Sequence, residues 1–99
     1  MTLLVLRTLE SRGALHGYGL CQHIHLVSDA LLQVEEGSLY PALHRMEQDG
    51  WISSKWEITD KGRKAKFYTM TPLGQKQLDT EQENWARLTR GVSRVLRYS

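Results

Sequence analysis

One cysteine, two prolines and a single phenylalanine occur in the 99 residues. With Cys21 alone, no disulfide can close within the chain, so packing must hold the fold, and a reducing compartment fits. There is no internal repeat and no low-complexity segment. No apolar run approaches the roughly 20 residues that cross a bilayer. The early Leu3-Leu4-Val5-Leu6 has no basic region before it and no small-residue cleavage site after it, so it does not read as a signal peptide. A cytoplasmic protein is expected. Neither sign of charge dominates: the net value of +2 does not by itself imply a nucleic-acid partner. A glycine-rich phosphate loop, a paired-carboxylate constellation and a nucleophile elbow are all missing, and no enzyme is expected. His16, Cys21, His23 and His25 invite a metal reading. On a helix, however, Cys21 and His25 share a face while His23 points elsewhere, and no second ligand pair occurs at zinc-finger spacing. No metal and no cofactor are expected, and Cys21 reads as a small buried hydrophobe.

What is present is organised around residues 37–52, Gly-Ser-Leu-Tyr-Pro-Ala-Leu-His-Arg-Met-Glu-Gln-Asp-Gly-Trp-Ile. Ser38 is a natural N-cap for a helix, and Pro41 falls in its first turn, where a missing N–H costs little. Gly50 supplies the left-handed backbone that closes it. Leu39, Leu43 and Met46 recur as one apolar stripe. Tyr40, His44 and Glu47 form a second stripe, flanked by Pro41, Arg45 and Gln48. Such an outer face suits base edges and phosphates in a major groove. An ordinary amphipathic surface helix would show the same two faces, so the residues beyond Gly50 must decide between the two readings.

After Gly50 the apolar period changes from helical to alternating. Ile52, Ser54, Trp56 and Ile58 fall on one side of a strand, with Trp51, Ser53, Lys55 and Glu57 on the other. Thr59-Asp60-Lys61-Gly62 is turn chemistry, and Ala65, Phe67 and Thr69 resume a second strand. A hairpin after a helix-turn-helix is the wing of a winged helix. Lys55, Lys61, Arg63, Lys64 and Lys66 cluster on it, offset locally by Glu57 and Asp60, and form a phosphate-binding surface beside the polar helix face. Upstream, Thr2 to Arg12 reads as one helix and residues 17–27 as another, with Leu20, Ile24 and Val27 inward. Leu32 and Val34 alternate with polar residues and suggest a short strand. Downstream, Thr71-Pro72 opens a last helix with a threonine cap and a proline at its first position. Leu78, Trp85 and Val92 are spaced by seven, as are Leu88 and Val95, with Leu96 beside them. Glu81 is the gap in the series. A helix of roughly 25 residues spans nearly 40 Å at ~1.5 Å per residue, longer than a domain this size covers. Its distal half therefore calls for a second copy of the chain.

Residues 37–52 closely resemble the core signature of PadR-type winged-helix transcriptional regulators. Leu15-His16-Gly17-Tyr18 resembles that family's motif at the second helix. The run from Gly62 to Gly74 resembles its wing strand and the entry to its last helix. The likeness covers residues 3 to about 75. Gly19 departs from it, standing where an acidic residue is usual, and Glu35-Glu36 add negative charge ahead of the recognition helix.

The expected fold is mainly α with a small β-wing: a winged-helix DNA-binding domain over 1–71 and a C-terminal dimerisation helix over 72–99. The expected function is sequence-specific DNA binding by a homodimer on a pseudo-palindromic operator, as a repressor. Ser38, Tyr40, Pro41, His44 and Arg45 are the recognition-helix contacts, and the five wing cations are the others. Leu78, Trp85, Leu88, Val92, Val95 and Leu96 form the dimer seam. The resemblance further implies a small hydrophobic or aromatic effector at Trp85. Two alternatives remain at this point: a winged-helix module that binds protein through the same helix face, which would not need the basic wing, and a small ligand-binding or catalytic dimer built around Trp85.

Overall fold

A computed structural model describes residues 1–98 and gives seven elements: α1 (Thr2–Arg12), β1 (Leu15–His16), α2 (Gly17–Val27), α3 (Glu36–Gln48), β2 (Ile52–Ile58), β3 (Lys64–Met70) and α4 (Pro72–Tyr98). The three strands form one antiparallel sheet in the order β1-β3-β2. The mainly helical winged-helix fold is therefore as expected.

Helix α3 is held by its apolar stripe. Leu39 and Leu43 are fully buried and Met46 nearly so, each contributing roughly 1.5–3 kcal/mol relative to exposure. They join Val5, Leu6 and Leu9 of α1, Leu20 of α2, Ile52 and Tyr68 of the sheet, and Leu78 of α4 in a single core. Gly50, at φ 80°, ends α3 as expected. Its N–H donates to the Glu47 carbonyl at 3.1 Å and that of Trp51 to the Met46 carbonyl at 3.0 Å, which satisfies two orphan carbonyls of the last turn.

That ending is clamped to the start of α4. Thr71 Oγ1 accepts from the Gly74 N–H at 3.0 Å and donates to the Gly50 carbonyl at 2.6 Å, while the Thr71 N–H donates to the Trp51 carbonyl at 3.0 Å. Gly74 is pressed so closely to this junction that a Cβ would lie 2.0 Å from the Trp51 oxygen. The long helix thus starts on the C-terminal end of α3.

Four local expectations are corrected. The first turn of α3 begins at Glu36 with Glu35 in the N-cap position, so Ser38 lies inside that turn and does not cap it, and Pro41 falls in the second turn rather than the first. The Leu32–Val34 stretch forms no strand; the free edge of β3 is taken instead by Leu15 and His16, which pair with Tyr68 and Phe67. Val27 is exposed on the last turn of α2, where the apolar stripe leaves the core after Ile24. Cys21 is half-buried at the core edge rather than within it, and burial, followed by the nearby Glu36, pushes its thiol pKa up.

Candidate nucleic-acid interface

The outer face of α3 is open. Tyr40, Pro41, His44 and Arg45 are exposed, as is Ser38 at its start. Tyr40 is braced from behind: its phenol lies across Gly17, at the first residue of α2, and its hydroxyl donates to Glu36 Oε2 at a long 3.4 Å. Burial against α2, with Glu36 second, raises its pKa.

Glu47, on the same stripe two turns further, turns toward the wing. It accepts from Ser54 Oγ of β2 at 2.5 Å and pairs with Lys66 Nζ of β3 at 3.2 Å. The Ser54 hydrogen bond, above all, holds its carboxyl below the usual range. One carboxylate thus ties both wing strands to α3. This alters the standing of Lys66, whose ammonium is engaged by Glu47 and lies 5.8 Å over the Tyr68 ring. Its side chain is half-buried.

Lys55, Lys61, Arg63 and Lys64 are all exposed. Lys55 pairs with Glu57 at 3.7 Å, a water-exposed contact of little strength. Among the described residues no carboxylate pairs with Lys61, Arg63 or Lys64. The tip is closed by Gly62 donating to the Thr59 carbonyl at 2.9 Å and Thr59 donating to that of Arg63 at 2.7 Å.

Three residues outside the expected set border this surface. His16 caps α2, its Nδ1 accepting from the Gly19 N–H at 3.3 Å, and stacks on Phe67 with ring centres 5.1 Å apart. A Cβ on residue 19 would stand 2.8 Å from that nitrogen, so a larger residue there would have to displace the His16 ring. Tyr18 and Trp56, each more than half exposed, flank an opening of about 350 Å³ between α2, α3 and the wing. Periodicity placed Trp56 on the same side of β2 as Ile52, but of that set only Ile52, four residues earlier, joins the core.

At the other end of the molecule the α4 series divides. Leu78 is fully buried in its own chain's core, so it does not belong to a seam between chains, because α1 packs over that part of α4. Trp85, Leu88, Val92, Val95 and Leu96 are all exposed. Trp85 and Leu88 border a groove of about 690 Å³ with Leu3, Leu4 and Leu32.

Residues 5–80 match the Transcriptional regulator PadR-like family. The chain belongs to that family. A Mycobacterium tuberculosis transcriptional regulator is 38% identical over 60 residues, 61% of this chain; the match spans 55% of that protein's length. Among solved structures, a Clostridium thermocellum transcriptional regulator superposes with a TM-score of 0.86 at 26% identity, covering 95% of this chain and 90% of its own. Bacillus subtilis PadR, solved in complex with operator DNA, shares the fold with a TM-score of 0.72 at 22% identity, over 82% of this chain and 45% of its own. These PadR-like relatives are transcriptional regulators rather than enzymes, and no helix among the described residues is long and apolar enough to cross a membrane.

Proposed function

We propose that this PadR-like regulator binds operator DNA as a homodimer and acts in the cytoplasm as a repressor. The observation that carries the reading is the continuity of one surface: the exposed Tyr40, His44 and Arg45 of α3 run into a wing in which, among the described residues, no carboxylate pairs with Lys61, Arg63 or Lys64. Helix side chains at that position read base edges, and exposed ammonium and guanidinium groups beside them hold phosphates. The operator complex of Bacillus subtilis PadR supports the same use of the fold here. Residues 1–71 carry the DNA surface and 72–99 pair the subunits, through Trp85, Leu88, Val92, Val95 and Leu96. A flat hydrophobic or aromatic effector fits beside Trp85, where indole surfaces of two subunits come together. By favouring one packing of the long helices it shifts the two recognition helices apart or together, and DNA is released without being touched.

The test is to select bound fragments from the source genome at fixed salt and measure affinity against salt concentration. Tyr40→Ala and Arg45→Ala are expected to lose about 1–3 kcal/mol of discrimination between operator and random duplex. Lys64→Ala is expected to weaken both and flatten the salt dependence. A protein that enriches no fragment, and whose affinity is indifferent to salt, would instead be a protein-binding module.

A further inference from the structure

The opening between α2, α3 and the wing is lined in part by residues, Tyr18 and Trp56, that the major-groove reading does not use. Tyr18 comes from the first turn of α2, Tyr40 from α3, Trp56 from β2 and Lys64 and Lys66 from β3, with Tyr68 at the base. Its volume of about 350 Å³ is near the low end of sites that enclose small ligands, ~300–1,000 Å³. It is also open along one side, so a free ligand would stay half in water, whereas a strand of nucleic acid can pass through it.

Its charge is nearly that of one phosphodiester reversed. Lys66 is matched by Glu47 at 3.2 Å, while among the described residues no carboxylate pairs with Lys64. Neutral donors stand beside that ammonium. Tyr18 Oη accepts from Gln22 Nε2 at 3.0 Å, which leaves its own O–H to donate outward, and the Trp56 indole carries one N–H. Tyr40 is already turned to Glu36, so it serves as wall. Trp56 is 62% exposed on β2, an edge strand. Its flat ring is therefore available to pack against a sugar.

We propose that this crevice seats one sugar–phosphate unit of the DNA backbone, where the strand passes from the major groove entered by α3 to the wing. The pentose lies on the Trp56 ring and the phosphate meets Lys64 Nζ and Tyr18 Oη. The inference rests on the DNA-binding reading above but adds a seat that neither the outer face of α3 nor the wing tip provides. Trp56 and Tyr18 position the duplex and do not read its bases, so their loss acts on all sequences alike.

The experiment uses the full chain, the operator duplex recovered by genomic selection, a random duplex, and operator duplexes each carrying one uncharged methylphosphonate linkage. Trp56→Ala and Tyr18→Phe change exposed side chains, and circular dichroism confirms their folds. Trp56→Ala is expected to bind both duplexes about fivefold more weakly, as for a contributing interface residue, with the ratio between them kept. Tyr18→Phe is expected to weaken both in the same direction. One linkage per half-site is expected to weaken wild type when neutralised yet add nothing to Lys64→Met. Wild-type affinity in Trp56→Ala and Tyr18→Phe overturns the seat while leaving DNA binding intact, as does a neutral-linkage profile unchanged in Lys64→Met. If wild type binds no duplex, the DNA-binding reading falls and the seat with it.

Discussion

Tyr40 and Gly17 are fitted to each other: a Cβ on residue 17 would stand 2.7 Å from the phenol oxygen and 2.8 Å from the carbon that bears it. The recognition helix therefore presents Tyr40 in one orientation because the second helix offers it a bare backbone. Gly17→Ala is expected to push the ring aside while the rest of α3 stays seated by Leu39, Leu43 and Met46. Discrimination between operator and random duplex should drop by about 1–3 kcal/mol, as in Tyr40→Ala. The double variant Gly17→Ala/Tyr40→Ala should lose no more than either single one. Additive losses in that cycle would mean that Gly17 acts elsewhere.

Glu47 gives the wing its attachment, and the attachment is pH-dependent. Its folded-state pKa is lowered, with the Ser54 hydrogen bond as the main cause. The stabilisation is therefore fully present above the unfolded carboxylate value of ~4.3 and is lost as pH falls through the folded value. Glu47→Gln is expected to destabilise the protein by about 1 kcal/mol at pH 7, a modest figure because the pair is partly hydrated. Urea melts of both proteins should converge on going from pH 6 to pH 3. A gap that stayed constant across that range would exclude the ionised carboxylate as its source.

These cases mark which kinds of information sequence carries. Capping by Thr71, closure at Gly50 and the alternation from Ile52 are local, decided by residues within a few positions of one another, and they were readable. The strand at Leu15–His16 was not, since two residues carry no period and the strand exists only because β3 offers an edge. The Leu32–Val34 alternation misled for the converse reason: a period of two is present there, but the segment pairs with no strand. Lys66 looked like any other wing cation because its partner, Glu47, lies 19 residues away. Leu78 fits the same repeat of seven as Trp85; only the position of α1 distinguishes a core residue from an exposed one.

The clamp between the end of α3 and the start of α4 is rigid by construction. With a Cβ 2.0 Å from the Trp51 carbonyl oxygen, and Met70 Cγ at 2.9 Å, Gly74→Ala cannot be absorbed by a side-chain rotation alone. It should cost about 3 kcal/mol or more, the upper end of overpacking effects, measured by urea denaturation. A near-neutral result would show that α4 can slide on α3, and would remove the stiff link through which helix packing is proposed to reach DNA.

The exposed series on α4 sets the assembly prediction. Trp85, Leu88 and Val92 recur where a left-handed helix pair would bury them, and the molecule is 55 Å long because the helix projects from the core. Leu88→Glu with Val92→Glu places two carboxylates in that seam, where burial without partners is strongly unfavourable. Sedimentation should find a wild-type dimer and a variant monomer at micromolar concentration. Helix content should be nearly kept, since both residues are exposed in the single chain. A wild-type monomer would remove the dimer from the proposal.

Dimer and operator are joined by geometry. Each subunit brings one α3, and two-fold symmetry turns two such helices toward related half-sites of a pseudo-palindrome. Both must meet major groove on one side of the duplex, so the half-site centres should lie one or two turns apart, about 10 or 20 base pairs. Inserting five base pairs between the half-sites rotates one of them to the far face and should abolish tight binding. Inserting ten restores the face but lengthens the span, which a rigid α3–α4 junction cannot follow, so recovery should be partial. In Gly74→Ala protein that remains folded, the loosened junction should narrow the gap between the native and ten-pair spacings. Equal affinity at every spacing would show that the two subunits do not read DNA together, and the paired-helix mechanism would have to give way to one subunit acting alone.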